Sequence, residues 1–197
     1  MRYSQLYENA ATDVAVFYGG RFQPMHVAHY KVYMDLVNKF GSDNVFIATM
    51  LAKNADPHDN PFSFDEKRYI MTSMFNIPEN KIINTQPYRP DIKQIGKSPE
   101  NTALILVYSK KDAGRLSYSS NVKPYQDNIE LAPSTEVAYV YVAEEKDDGR
   151  SATDFRNAMR VDINPQEKQK IFKEFFGNFS KEIYNFILDK LNDSTVK

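Results

Sequence analysis

The sequence has no cysteine, almost no net charge and no long apolar run, and each absence excludes a class of protein. Without cysteine among its 197 residues, the chain forms neither disulfide bonds, nor a thiolate nucleophile, nor a cysteine-based zinc site. A net charge of −1 provides no broad basic surface for a nucleic-acid backbone, so we expect no nucleic-acid partner.

Apolar runs are short throughout the chain. The longest clear one, ALILVY at residues 103–108, is far too short to span a bilayer. Residues 1–13 lack the apolar core that a signal peptide requires. We therefore expect a cytoplasmic protein without membrane contact, of a length suited to one well-buried domain.

Short segments rich in β-branched and aromatic residues predict strands, and amphipathic segments between them predict helices. Because short apolar strands that alternate with helices favour a parallel sheet, we predict an α/β fold with helices on both faces of the sheet. The five predicted strands cover residues 14–18, 44–50, 81–85, 102–109 and 137–143.

Capping signals mark the starts of several helices. Ser63 and Glu66 have the spacing of a capping box, and Asn164 precedes Pro165 in the arrangement of an N-cap followed by a first helical residue. The C-terminal segments are amphipathic and predict two further helices. The predicted organisation is an α/β domain at 1–160 and a C-terminal helical extension at 161–197 that packs on the same domain.

The segment YGGRFQPMHVAHY at residues 18–30 joins the first predicted strand to a helix through a glycine turn. Such a turn lets the backbone approach a phosphate, and the helix N-terminus offers free N–H groups. His26 and His29 share one helix face, so both rings can donate to a single anion. A metal site is a second interpretation, but no nearby acidic residue completes a ligand set and the remaining histidine is His58. Two unrelated polar or core residues are the third.

A second candidate anion site is SATDFR at residues 151–156, after the fifth predicted strand. Ser151 or Thr153 can cap a helix whose first N–H groups face an anion, and Arg156 lies close enough to reach the same anion. The alternative is an ordinary capped helix with a solvated arginine, because such caps are common.

Together these two segments resemble the nucleotidylyltransferase superfamily. GRFQPMHVAH resembles its H-x-G-H signature, and the G-R-F-Q-P form is most similar to the archaeal-type nicotinamide mononucleotide adenylyltransferases. SATDFR resembles the S/T-x-T-x-x-R segment of the same superfamily, and the two motifs occur in the expected order. One departure is Ala28, which stands where the signature has glycine and adds a methyl group that can crowd a nucleotide.

The resemblance implies a Rossmann-like open sheet and assigns roles to the matching residues. The histidines and the arginine of the first motif would contact the phosphates, the glycines would let ATP lie close to the first strand, and the second motif would hold the β- and γ-phosphates. The implied catalytic residues are His26, His29 and Arg21, and the implied nucleotide-binding residues are Gly19, Gly20, Phe22, Gln23, Ser151, Thr153 and Arg156.

Two further segments provide candidate contacts to the acceptor or to phosphate. DNPFSFDEKRYIM at 59–71 resembles the N-P-F segment of the adenylyltransferases and implies a role for Arg68, although Lys67 interrupts the match; a capped surface helix is the alternative. YSKKDAGR at 108–115 follows the fourth predicted strand, where ligands of open α/β sheets bind. Its candidates are Lys110, Lys111 and Arg115, with solvated charges as the alternative.

The implied activity is transfer of an adenylyl group from ATP to a small phosphorylated acceptor, with nicotinamide mononucleotide as the favoured acceptor and NAD as the product. Mg²⁺ would arrive with ATP, and we predict no metal site made by the protein alone. The alternatives are adenylyl or cytidylyl transfer to pantetheine phosphate, flavin mononucleotide, or an alcohol or sugar phosphate, and a non-catalytic nucleotide-binding module. The sequence leaves homo-oligomerisation open.

The motif also leads to an expectation for a variant. Loss of one donor to a transition-state phosphate costs about 2.7–4 kcal/mol of barrier. We therefore expect His29→Ala to reduce turnover by roughly a hundredfold or more, with the fold intact because this side chain is not needed for packing.

Overall fold

In the computed structural model, which describes residues 10–114, 119–144 and 151–193, parallel strands form one sheet with the order β3-β2-β1-β4-β6-β5. The order reverses between β1 and β4, so a crevice opens at the carboxyl ends of these two neighbours. The strands are β1 (Asp13–Gly19), β2 (Val45–Thr49), β3 (Ile82–Asn84), β4 (Thr102–Tyr108), β5 (Val122–Pro124) and β6 (Ala138–Val142).

The sheet has six strands, so the prediction of five is wrong, although the other five were located correctly. The additional strand is β5, which pairs in parallel with β6 alone, at one edge of the sheet. It has only three residues, lies in a polar stretch and ends in Pro124. Proline lacks an N–H for the ladder and is tolerated at an edge, so this strand carries no apolar alternation by which the sequence would reveal it.

Helices connect and follow the strands, and the predicted caps are confirmed. The side chains of Ser63 and Glu66 form a reciprocal capping box at the start of α2. Asn164 caps α5, whose first residue is Pro165. The helices are α1 (Val27–Phe40), α2 (Phe64–Phe75), α3 (Lys110–Ala113), α4 (Ala152–Arg160), α5 (Pro165–Phe176) and α6 (Lys181–Asp193), with 3₁₀ turns at Glu79–Lys81 and Ile92–Ile95.

Helical segments cover both faces of the sheet, as predicted, but unequally. Side chains of α1, α2, α4, α5 and α6 share one core with alternate residues of the strands, such as Val16. The other face, which includes Phe17, is covered by Ile92 and Ile95 of a 3₁₀ turn and by Ala113 of α3. Because crossovers between parallel strands are right-handed, the direction change at β1 and β4 places the two sets of connections on opposite faces.

The C-terminal helices pack on the first core rather than standing apart from it. Phe175 of α5 stacks on Phe155 of α4 with ring centroids 4.0 Å apart, and Lys190 of α6 pairs with Glu66 of α2 at 2.8 Å. These contacts bring α5 close to the start of α1. Within the described residues, no helix is long and apolar enough to cross a membrane.

Candidate active site

A cavity of about 840 Å³ opens at the carboxyl ends of β1, β4 and β6. The strand ends contribute Gly19, Ser109 and Ala143 to its wall. All ten residues that the sequence assigned to catalysis or nucleotide binding line this single cavity. They are Gly19, Gly20, Arg21, Phe22, Gln23, His26, His29, Ser151, Thr153 and Arg156.

The two histidines form a capping box at the start of α1. His26 is the N-cap, and its Nδ1 accepts the N–H of Ala28 at 3.2 Å. The backbone N–H of His26 donates in turn to Nδ1 of His29 at 3.4 Å. Because each Nδ1 is an acceptor, a neutral ring at either position carries its proton on Nε2. The capping arrangement therefore leaves each Nε2 as a hydrogen-bond donor.

His29 also packs within the site. Its ring lies 3.8 Å from that of His26 and meets the ring of Phe22 edge-on at 5.2 Å, between centroids. Burial and the neighbouring His26 lower its pKa to about 3, so His29 is neutral at physiological pH. The expectation that His29 is not needed for packing is wrong, because the side chain both closes the cap and fills space between two rings.

The C-terminal helix α5 supports the other histidine. The ring of Phe175 contacts the ring of His26 edge-on at 5.0 Å, between centroids. Since His26 is buried, this aromatic contact restricts the orientation of the imidazole that lines the cavity. The C-terminal helices thus help to build the site.

The two glycines are required by close contacts within the protein itself. A Cβ on Gly19 would lie 2.3 Å from the carbonyl oxygen of Pro87, and a Cβ on Gly20 would lie 2.6 Å from the ring of Phe22. Phe22 has a left-handed backbone, with φ of 45°, which is uncommon for a bulky residue. The approach of Pro87 and Phe22 alone therefore requires glycine at both positions, and the approach of ATP to them stays a prediction.

Gln23 joins the first motif to the N-P-F segment. Its amide Nε2 donates to the carbonyl oxygen of Phe62 and its Oε1 accepts the N–H of Phe62, both at 2.9 Å. The backbone carbonyl of Gln23 accepts a hydrogen bond from Nη1 of Arg156 at 2.7 Å. A single buried residue therefore links three segments that are distant in the sequence.

Arg156 is almost fully buried beside the N-terminus of α4. Its Nη2 donates to Oγ1 of Thr153 at 3.4 Å and lies 3.8 Å from a carboxylate oxygen of Asp59. Its Nε is buried and has no hydrogen-bond partner among the residues that the structure describes. A buried N–H donor without a partner is costly, so a bound anion at this end of the cavity would satisfy it.

The start of α4 supplies further donors. Oγ of Ser151 accepts the N–H groups of Thr153 at 3.2 Å and of Asp154 at 3.4 Å, which confirms a cap at this position. The hydroxyl groups of Ser151 and Thr153 each keep an O–H proton to donate. The N-terminus of a helix also favours negative charge, so this wall of the cavity is suited to phosphate.

A second cluster of polar side chains on the cavity wall is centred on Asp112. Its Oδ2 accepts the hydroxyl of Tyr88 at 3.1 Å and that of Ser109 at 3.2 Å. Tyr88 stacks on Tyr108 with ring centroids 4.3 Å apart, and burial, with the Asp112 charge, raises the pKa of its phenol. Neither Tyr88 nor Asp59 was predicted as a site residue. Each had one indication in the sequence, since Tyr88 lies in the loop that follows β3 and Asp59 in the loop that follows β2.

Two of the remaining predicted contacts, Arg68 and Lys110, are not brought to the cavity. Arg68 pairs with Asp65 at 2.9 Å on the exposed side of α2, and neither it nor Lys110 lines the cavity. The side chain of Lys111 and the whole of Arg115 lie outside the described residues.

The residue that interrupts the N-P-F match is buried instead. Nζ of Lys67 donates to Oγ1 of Thr49 at 2.8 Å, to the carbonyl oxygen of Met50 at 3.0 Å and to that of Arg21 at 3.1 Å. Lys67 lies three residues before Ile70 in α2, a spacing that places both side chains on one face of a helix. This spacing was the indication in the sequence that the lysine lies on the apolar face.

Carboxylates occur in the cavity, but the described ranges contain no group of three or more His, Cys, Asp or Glu side chains that would hold a metal ion alone. The carboxylates that line the cavity belong to Asp59, Asp112 and Glu144. Mg²⁺ is commonly held by one or two carboxylates together with substrate phosphates. The residues present therefore fit an ion that shares its coordination with a bound triphosphate.

Comparison with known proteins gives one family. A model described as cytidylyltransferase-like matches residues 17–158, a range that includes both motifs, the residues that line the cavity and the sheet from Phe17 in β1 to the end of β6. A search of curated proteins found no match.

Proposed function

The chain belongs to the cytidylyltransferase-like family and is a nucleotidyltransferase, and we propose that it transfers an adenylyl group from ATP to nicotinamide mononucleotide, with release of pyrophosphate. The observation that carries the proposal is the convergence of anion-binding groups on one cavity. Residues in the first turns of α1 and α4, the two histidines at the start of α1 and the buried Arg156 all line the same cavity.

The proposed reaction is an in-line displacement at phosphorus. An oxygen of the acceptor phosphate forms a bond to the α-phosphorus of ATP as the bond from that phosphorus to the bridging oxygen breaks. The electron pair of the broken bond leaves with pyrophosphate. The reaction forms no covalent protein intermediate, so the protein acts by positioning the groups and stabilising charge.

Each wall of the cavity has a role in this displacement. In this proposal His26, His29 and Arg21 donate to the α-phosphate and the bridging oxygen. Ser151, Thr153 and Arg156 would hold the leaving pyrophosphate at the start of α4. Donors of this kind contribute about 2.7–4 kcal/mol each when they meet charge that develops in the transition state.

Magnesium would enter with the triphosphate. Bound there, Mg²⁺ neutralises charge on the phosphate oxygens. Asp59, Asp112 and Glu144 are the carboxylates of the cavity that would contact it, directly or through water.

The choice of nicotinamide mononucleotide rests on the sequence resemblance and on one contact. The G-R-F-Q-P and N-P-F segments both resemble those of nicotinamide mononucleotide adenylyltransferases, and the hydrogen bonds between Gln23 and Phe62 join the two segments at the cavity. This contact supports a shared role for the two segments in forming the site.

Pyrophosphate release tests the proposal directly. The natural chain is assayed with ATP or CTP against nicotinamide mononucleotide, pantetheine phosphate, flavin mononucleotide and glycerol phosphate. We expect fastest release with ATP and nicotinamide mononucleotide. Faster release with CTP or with another acceptor would replace the proposed substrate and keep the nucleotidyl transfer.

The assay needs a control for nonspecific effects of removing an imidazole. His26→Asn removes an Nε2 donor from the cavity, whereas His58→Asn changes an exposed histidine outside it. We expect release to fall at least roughly a hundredfold in the first variant and to stay unchanged in the second.

A non-catalytic nucleotide-binding module is the second candidate, and Ala28 favours it. Its methyl group is buried and lines the cavity where the superfamily signature has glycine. Such a module would bind ATP in calorimetry and release no pyrophosphate with any acceptor in the panel.

A further inference from the structure

Lys67 is a buried ammonium group whose hydrogen bonds all go to uncharged oxygens. Its side chain is 1 % exposed, and its partners are Oγ1 of Thr49 and the carbonyl oxygens of Arg21 and Met50. In the described part of the chain, no carboxylate pairs with it. Buried charges are usually paired, so this arrangement calls for an explanation.

The partners of Lys67 belong to two segments, and one of them, the turn that holds Arg21, lines the cavity. Arg21 lies in the turn between β1 and α1, and Thr49 and Met50 lie at the carboxyl end of β2. Oγ1 of Thr49 also donates to the Arg21 carbonyl, at 3.3 Å. The ammonium therefore fixes the peptide that immediately precedes Phe22, the residue with the left-handed backbone.

Lys97 shows how the same chain builds a lysine with a purely structural role. Its Nζ also makes three hydrogen bonds, but at the amino end of the sheet, and one partner is the carboxylate of Asp13 at 2.6 Å. The others are the carbonyl oxygen of Val14 and the amide oxygen of Asn44. The two lysines thus differ in one respect that matters, because a carboxylate neutralises only Lys97.

An anion in the cavity would provide the missing negative charge for Lys67. The carbonyl that accepts its hydrogen bond at 3.1 Å belongs to Arg21, a residue of the cavity wall. The ammonium thus reaches the cavity wall through this peptide, and opposite charges attract more strongly across a buried region of low dielectric constant than across water. The polyphosphate of a nucleotide is the anion for which the cavity is built.

We propose that Lys67 is a positioning residue of the nucleotide site, which holds the Arg21–Phe22 turn in place and supplies a buried positive charge to the bound polyphosphate. The inference rests on the proposed function, because it requires a nucleotide in this cavity.

This role predicts a coupling between ATP binding and the protonation of Lys67. Burial lowers the pKa of its ammonium to about 8 in the free protein, and a bound polyanion would raise it again. Above pH 8, binding of ATP must therefore be accompanied by proton uptake, and its affinity falls as pH rises.

Three titratable groups that line the cavity, Tyr18, Tyr88 and His29, have pKa values outside this range. Burial raises the pKa of Tyr18 and, with Asp112, that of Tyr88. Burial and the neighbouring His26 lower the pKa of His29 to about 3. On α2 itself, Glu66 is paired with Lys190 and Arg68 with Asp65.

Calorimetry with MgATP between pH 7.5 and 9.5 tests the proposal on four proteins: the natural chain, Lys67→Arg, Lys67→Met and Lys97→Met. We expect the affinity of the natural chain to fall about tenfold or more over this range. Its binding enthalpy at pH 8.5 should vary with the ionisation enthalpy of the buffer, as proton uptake requires.

The variants separate charge from packing. Lys67→Arg keeps the charge at all these pH values, so its affinity should be independent of pH and close to that of the natural chain at pH 7.5. Lys67→Met should bind more weakly at pH 7.5 by a similar factor of about ten, also without pH dependence. Lys97→Met should lower the unfolding temperature and leave the affinity unchanged.

Three outcomes would overturn the inference. They are a pH dependence that persists in Lys67→Arg, an affinity that Lys67→Met does not change, and proton uptake that is absent from the natural chain. If Lys67→Met does not fold, the natural chain and Lys67→Arg still decide the question. A natural chain that binds no ATP would reject the proposed function, and the inference with it.

Discussion

The side-chain amide of Gln23 and the backbone of Phe62 exchange two hydrogen bonds, each 2.9 Å long, across 39 residues of sequence. Both residues are buried, so neither partner has water as a substitute. The exchange holds the N-P-F segment against the turn that leads into α1. The two segments therefore form one structural unit beneath the cavity.

Gln23→Ala should destabilise the fold and weaken nucleotide binding together. The substitution leaves the N–H and the carbonyl oxygen of Phe62 buried without partners, at a cost of about 1–3 kcal/mol for each group. Chemical denaturation measures the loss, with Gln86→Ala, at an exposed residue, as the control. A Gln23→Ala variant as stable as the natural chain would show that the exchange does not hold the two segments together.

Two substitutions at His29 separate its capping role from its role toward phosphate. Asparagine places an acceptor near the position of Nδ1, so His29→Asn should keep the cap and lose the Nε2 donor. Glutamine reaches the position of Nε2, so His29→Gln should keep a donor and lose the cap. We expect turnover to fall by roughly a hundredfold or more in the first variant and stability to fall by about 1 kcal/mol in the second.

Pyrophosphate release and thermal unfolding measure the two effects on the same preparations. His29→Ala should show both losses, in contrast to the intact fold expected from the sequence alone. Equal turnover in His29→Asn and the natural chain would remove His29 from the proposed mechanism.

Neutral His29 also makes stability depend on pH in a defined range. The unfolded chain binds a proton on this imidazole near its ordinary pKa of 6.5, whereas the folded chain binds it only near pH 3. Between these values the unfolded state holds more protons, so the free energy of unfolding falls as pH falls from 6.5 towards 3. Above pH 6.5 the group contributes no slope.

Urea denaturation at several pH values measures this slope. Since His29→Asn has no titratable group at the position, its stability should decline less than that of the natural chain as pH falls from 6.5 to 4. His58→Asn, at an exposed histidine, should follow the natural chain. Parallel curves for all three proteins would contradict the lowered pKa of His29.

What the sequence predicted well depends on local chemistry. The apolar runs of five strands and the caps at Ser63, Ser151 and Asn164 are determined by residues close in sequence, and the structure confirms them. The gathering of ten assigned residues on one cavity was also predictable, because the carboxyl ends of β1, β4 and β6 meet at one edge of a parallel sheet.

What the sequence did not reveal depends on contacts between distant segments. The Arg21 carbonyl that accepts a hydrogen bond from Lys67 is 46 residues away, so no local pattern connected that lysine with the turn before α1 while its neighbour Arg68 faced solvent. The strand β5 exists because Val122 and Lys123 find a partner in β6. Each of these features requires the assembled sheet.

Ala28 offers the sharpest test of how the site accepts a nucleotide. It is the second residue of α1, its N–H donates to Nδ1 of His26 at 3.2 Å, and its methyl group is part of the cavity wall. Ala28→Gly keeps the N–H and removes the methyl group, so we expect KM for ATP to fall several-fold. The cost in stability should be at most about 1 kcal/mol.

The opposite change and a control complete this test. Ala28→Val adds bulk to the cavity wall and should raise KM for ATP. Ala158→Gly, in α4 and outside the cavity, should reduce stability without any change in KM. An unchanged KM in both Ala28 variants would show that the methyl group does not contact bound ATP. Ala28 would then no longer favour a non-catalytic module.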